Sequence, residues 1–204
     1  MKHSTMCKIR YALWSIPMTL SMRMKGIKTK GIVYSGGRMF AYKEGRSTIT
    51  IGKNCRFMNW QFGNLIGLNH KSIIATQSDD AKLTIGDKCS FSGVSIWCHK
   101  EITIGNNVRV GANVTIMDSD QHTDDPRAGK DKPVRIEDNV WIGGGVTILK
   151  GVTIGKNSLI GAGSVVVKSI PENVIAAGNP CKVIRPLDEE TIKVGSINFH
   201  RQKG

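Results

Sequence analysis

With 204 residues and 40% hydrophobic content, the chain has the length for one domain with appendages and enough apolar side chains for a packed core. Its five cysteines, odd in number and without a C-x-x-C or other paired spacing, signal neither a disulfide framework nor a zinc site, and a reducing cytoplasm is the simplest setting. The net charge of +13 is concentrated at one end: residues 1–48 carry ten Lys/Arg against Glu44 (+9) and residues 49–204 nineteen against fifteen (+4), which favours anionic partners, with nucleic acid last among them because no binding motif for it is present.

Residues 5–25 mix Met6, Ile9, Leu13, Trp14, Ile16, Met18, Leu20 and Met22 with Lys8, Arg10, Arg23 and Lys25. Pro17 is expected to interrupt a continuous helix, because its ring removes a backbone donor and crowds the preceding turn. The apolar centre of this stretch, residues 11–20, is too short to cross a bilayer, and no A-x-A-like cleavage site succeeds it. The basic segment 1–48 therefore reads as a partly helical cap on a solenoid, a role compatible with peripheral contact with an anionic membrane.

A six-residue repeat begins at Ile49. The phrase I-T-I-G at 49–52 returns as L-T-I-G at 83–86, I-T-I-G at 102–105 and V-T-I-G at 152–155. The inward phase runs through Ile51 and Phe57, then Ile85 and Phe91, then Ile104, Val110 and Ile116. Ile85 and Ile104 stand nineteen residues apart, one more than three hexads, so an extra residue is taken up at a corner or bulge within residues 97–101. Ile116 and Ile136 are twenty apart, which requires a long polar loop, residues 117–135, to leave the repeat. From there the period is strict: Ile136, Ile142, Ile148, Ile154, Ile160 and Val166, each preceded two places earlier by Val134, Val140, Val146, Val152, Ser158 and Ser164. Asn54, Asn107, Asn139 and Asn157 each fall three places after an inward Ile, where a tight corner demands left-handed backbone. The pattern predicts short strands that turn every six residues and stack into a solenoid, residues 49–186, with a polar tail, 187–204, frayed over 195–204.

The hexads of 136–169, with V-W-I-G-G-G-V-T-I at 140–148, I-G-A-G-S-V-V at 160–166 and A-G-N-P-C-K-V-I-R at 177–185, resemble the hexapeptide-repeat acyltransferases. D-S-D-Q-H at 118–122 resembles the branch that O-acetylates bacterial surface polysaccharides. The resemblance implies an all-β fold, a left-handed parallel β-helix, although parallel crossovers are ordinarily right-handed. It further implies a homotrimer with sites between subunits, acetyl-CoA as cosubstrate, a carbohydrate acceptor and no metal.

Acetyl transfer from a thioester to a hydroxyl requires a base for the hydroxyl proton and stabilisation of the developing oxyanion. His122, at the mouth of the loop and in the next inward phase after Ile116, is the candidate base, and the resemblance places the family's catalytic histidine there. Asp118 and Asp120 alternate with Ser119; in an extended segment one of them would hold the second ring nitrogen of His122, or both merely solvate the loop. The resemblance assigns Trp141, outward by phase, to the border of acceptor and pantetheine. Gly143, Gly144, Gly161 and Ala162 permit the close approach of a narrow ligand, or in part only serve tight corners, and the resemblance assigns Lys168, Lys182 and Arg185 to the phosphates of coenzyme A. The family's substrate-side Asn has no clear match in residues 89–93. His70, His99 and His122, 29 and 23 residues apart, lack the spacing of a zinc carbonic anhydrase. The expected activity is O-acetyl transfer; N-acetylation of an amino-sugar nucleotide and a non-catalytic binding solenoid are the rival readings.

Overall fold

The computed structural model describes residues 2–122 and 124–198, with side chains through Lys193. Helix α1 (His3–Met24) comes first. The chain then winds in six coils, each laying one strand on each of three sheets. The first coil holds β1 (Lys28–Thr29), β2 (Tyr34–Ser35) and β3 (Phe40–Tyr42), and the second β4 (Thr48–Ile51), β5 (Arg56–Met58) and β6 (Ile73–Thr76). The third holds β7 (Lys82–Ile85), β8 (Ser90–Ser92) and β9 (Ser95–Cys98), and the fourth β10 (Glu101–Ile104), β11 (Arg109–Ala112) and β12 (Thr115–Met117). The fifth comprises β13 (Val134–Ile136), β14 (Trp141–Ile142) and β15 (Thr147–Ile148), and the sixth β16 (Thr153–Ile154), β17 (Leu159–Ile160) and β18 (Val165–Val166). β19 (Val174–Ala177) extends the middle sheet in parallel, β20 (Lys182–Pro186) turns back antiparallel to it, and α2 (Glu189–Asn198) ends the described chain.

The six-residue period works because it returns an apolar side chain to the same place on every coil. Ile51, Ile85, Ile104, Ile136 and Ile154 stack in one column, and Phe57, Phe91, Val110, Ile142 and Ile160 in a second. Ile74, Ile96, Ile116, Ile148 and Val166 form the third. All fifteen are buried, each contributing on the order of 1.5–3 kcal/mol relative to exposure. The rings of Phe57 and Phe91 stack with centroids 4.6 Å apart. At the corners Asn54, Asn107, Asn139 and Asn157 have φ between 56 and 62°, as the spacing predicted. Their amides form a ladder, Asn107 to Asn139 (3.2 Å), Asn139 to Asn157 (3.1 Å) and Asn157 to Asn173 (2.7 Å).

Four features depart from the sequence reading. Helix α1 runs unbroken through Pro17, whose ring lies on the exposed side, where the carbonyl left without a donor can be hydrated. The solenoid starts one coil before Ile49. Thr29, Ser35 and Ala41 keep the six-residue inward register with Ile51, Phe57 and Ile74 but are small, because α1 seats Met18 and Met22 over this end. The Ser15 hydroxyl accepts the Ser35 N–H (3.1 Å) and the Thr19 hydroxyl the Val33 N–H (2.9 Å), which fixes the helix as a lid on the open core. A second excursion, residues 59–72, separates β5 from β6. Finally, α2 occupies part of the tail expected to fray, and residues 199–204 lie outside the described residues.

Candidate functional site

The polar loop leaves the wall after β12 and rejoins it at β13, as residues 118–133. Its first residue, Asp118, is completely buried. One carboxylate oxygen accepts the backbone N–H of His99 (2.7 Å), and the other accepts those of Lys100 (2.8 Å) and Glu101 (2.6 Å). This is the corner where the extra residue in the repeat was expected. A coil one residue too long exposes backbone donors that cannot join the ladder, and a buried carboxylate satisfies three of them. Asp118 therefore shapes the corner, and its carboxylate does not reach His122.

The backbone then turns sharply, with Gln121 at φ 69° and the His122 N–H donating to the Asp120 carbonyl (2.9 Å). The segment is not extended, so Asp120 and His122 do not share a side as the alternation suggested. Asp120 instead pairs with Lys150 (2.5 Å), whose ammonium also donates to the Gly129 carbonyl (2.7 Å), tying the outgoing and returning arms of the loop together. His122 is exposed, and among the described residues nothing hydrogen-bonds its ring. Lys150→Met is expected to loosen both arms, seen as faster tryptic cleavage after Arg127 and Lys130 with the solenoid's melting temperature little changed; unchanged cleavage would remove Lys150 from this role.

A histidine–carboxylate pair that sequence reasoning missed lies at the root of the same loop. His99 Nδ1 meets Asp131 Oδ2 at 2.6 Å, and the imidazole stacks on Trp97 with centroids 6.0 Å apart. Burial pushes the Asp131 carboxyl up, but hydrogen bonds from Ser119 and His99 and the charges of His99 and Lys150 hold it below the usual carboxylate range. The pair borders an open cavity of ≈490 Å³ lined by Ser78, Asp80, His99, Lys100, Gly129 and Asp131. The available signal was the extra residue near His99; its partner, 32 positions on, gave none.

The remaining predicted residues lie elsewhere on the solenoid. Trp141 is 53% exposed on β14, flanked in register by Arg109 and Leu159. A Cβ on Gly143 would stand 2.5 Å from the backbone nitrogen of Ala162, and one on Gly161 2.7 Å from the Ala177 Cβ, so coil stacking alone requires both glycines. Gly144 and exposed Ala162 leave small surface beside the tryptophan. The Cys181 N–H donates to the Val165 carbonyl (2.8 Å), folding the chain after β19 back over β18. Lys168, Lys182 and Arg185 are thereby exposed at one end of the molecule. Within one chain the loop leaves from the corner between the sheets of β12 and β13, whereas Trp141 belongs to the third sheet. Among the described residues no group of three His, Cys, Asp or Glu side chains is placed to hold a metal ion.

A family model described as bacterial transferase hexapeptide (six repeats) matches residues 133–168. The chain is 50% identical over 98 residues to a galactoside O-acetyltransferase of Lactococcus lactis, covering 46% of this chain and 47% of that protein. It spans about half the length of the curated relatives it matches. Among solved structures, a galactoside acetyltransferase in complex with coenzyme A is 28% identical with a TM-score of 0.50, covering 92% of this chain and 80% of that one. An N-acyltransferase from Bacillus cereus in complex with dTDP and 3-hydroxybutyryl-CoA, 17% identical, covers 88% of this chain and 94% of that one at a TM-score of 0.65, a likeness of fold.

Proposed function

Because this chain belongs to the hexapeptide-repeat acyltransferase family, we propose that it transfers an acetyl group from acetyl-CoA to a sugar hydroxyl of a bacterial surface polysaccharide or its precursor. The observation that carries the reading is an exposed, unencumbered imidazole, His122, presented by a clamped loop on a solenoid similar to galactoside O-acetyltransferases. In the reaction His122 accepts the hydroxyl proton as the sugar oxygen attacks the thioester carbonyl. The tetrahedral oxyanion collapses with loss of the coenzyme A thiolate, which takes the proton back from the imidazolium. The loop's tie through Lys150 holds the imidazole still for that exchange.

His122 and Trp141 occupy different sides of one solenoid, which supports a homotrimer in which the loop of one subunit faces the Trp141 wall of the next. Coenzyme A then lies along the small surface of Gly144 and Ala162, with its phosphates toward Lys168, Lys182 and Arg185. Use of acetyl-CoA, which is made in the cytoplasm, supports a cytoplasmic enzyme with its basic end toward an anionic surface. Alanine at all three cations is expected to raise KM for acetyl-CoA about tenfold or more with kcat little changed; an unchanged KM would displace the phosphates from that end. Assays of acetyl-CoA with hydroxyl and amino acceptors, beside mass spectrometry of surface glycans from cells with and without the protein, test the reading. Transfer to amino acceptors alone would replace it with N-acetylation.

A further inference from the structure

The capping helix has two apolar faces. One carries Met18 and Met22 into the core; the other carries Ile9, Leu13, Ile16, Leu20 and Met24, which are 45 to 82% exposed. Their spacing of four, three, four and four residues places them in a single stripe along the helix. A soluble cap needs a polar outer face, so this stripe has no structural explanation within the chain.

A second apolar element adjoins it. The excursion between β5 and β6 exposes Phe62, Leu65 and Ile66 by 62, 83 and 80%. The loop is fastened to the helix along the line of residues 3, 7 and 10: His3 Nε2 contacts the Phe62 carbonyl at 2.6 Å, the Cys7 thiol donates to the Gly63 carbonyl at 3.9 Å, and the Arg10 guanidinium lies 4.9 Å over the Trp60 ring. That line is roughly a quarter turn around the helix from the stripe. Helix and loop thus present exposed apolar side chains at the same capped end of the molecule.

Charge decides what covers them. Residues 1–71 contain thirteen Lys/Arg and one acidic residue, Glu44. Lys2, Lys8, Arg23 and Lys25 lie exposed on the helix or immediately beside it. Packing this face against a second copy would bring like charges together, whereas an anionic bilayer satisfies the cations and takes in the apolar side chains. No helix among the described residues is long and apolar enough to cross a membrane, so the contact is with its surface. We propose that the stripe of α1 and the tip of the 59–72 loop form a two-part membrane-docking surface that lays the capped end of the solenoid on an anionic lipid leaflet. This goes beyond acetyl transfer and stands or falls without it.

The full chain is tested by co-sedimentation with phosphatidylcholine vesicles with and without phosphatidylglycerol. Binding is expected only to the anionic vesicles and to weaken with salt. Leu13→Asp with Ile16→Asp, and separately Leu65→Ser with Ile66→Ser, are each expected to weaken it about tenfold or more while circular dichroism melts and transfer to a soluble acceptor stay unchanged. All four sites are exposed, so the variants retain the core. Absence of binding, or binding unaltered by both double variants, would overturn the proposal. So would a fall in oligomer size in the variants without loss of vesicle binding, which would assign the stripe to a second copy.

Discussion

Alanine at His122 is expected to lower acetyl transfer to a sugar hydroxyl by about 10²- to 10⁴-fold, the contribution of a positioned general base. The melting temperature should not move, because the side chain is exposed and truncating it leaves no buried group unpaired. Steady-state rates with acetyl-CoA and a sugar acceptor, alongside a thermal melt, measure both. The fold offers one specific competitor, since His99 is already paired through Nδ1 with Asp131, the arrangement that orients a histidine base. If His99→Ala abolished transfer while His122→Ala retained it, the base would be His99 and the loop's part in the chemistry would pass to Asp131.

Asp118→Ala should act on stability instead. The carboxylate holds three successive backbone donors, those of residues 99–101, in a closed corner with no solvent at the carboxylate itself. Removing it leaves those donors unsatisfied, at a cost of about 3–5 kcal/mol given that bonds to charged groups are the stronger kind. For a chain of this length that corresponds to a melting temperature lower by about 6–20 °C. Asp118→Asn retains an oxygen acceptor but turns an N–H₂ toward the donors, so its loss should be intermediate. Chemical denaturation of the three proteins measures the order. An Asp118→Ala variant that melted like the parent yet had lost transfer would return the residue to the catalytic chemistry.

The two aspartates show how far a motif can be read. D-S-D-Q-H marks a functional loop, and alternation within it suggests side chains on a shared side. Alternation holds only while the backbone is extended, and Gln121 in the left-handed region breaks it between Asp120 and His122. The same limit hid His99–Asp131, whose members are 32 positions apart, and the tie of Lys150 to Asp120, 30 apart. The first coil was legible only in its second phase: Thr29, Ser35 and Ala41 are spaced like the later hexads but small, and the apolar period there lies with Ile27, Val33 and Met39, buried two places earlier. The Asn corners were legible for the opposite reason: the left-handed requirement sits in each residue's own dihedral angle and is repeated at every coil.

What the amino-acid sequence determined by itself is the wall. An Ile or Val every six residues from 136 to 166 admits few ways to bury them all, and the stacked columns arise from that period. Only the tertiary structure decided what the interruptions do. It turned Asp118 inward to cap an overlong corner, left His122 outward, and set an apolar stripe on the outer face of the helix that closes the core. The physical reason is the range of the interactions. Burial at a fixed period is imposed locally on each hexad, whereas the direction of a loop side chain is set by a partner that only the completed coils bring within reach.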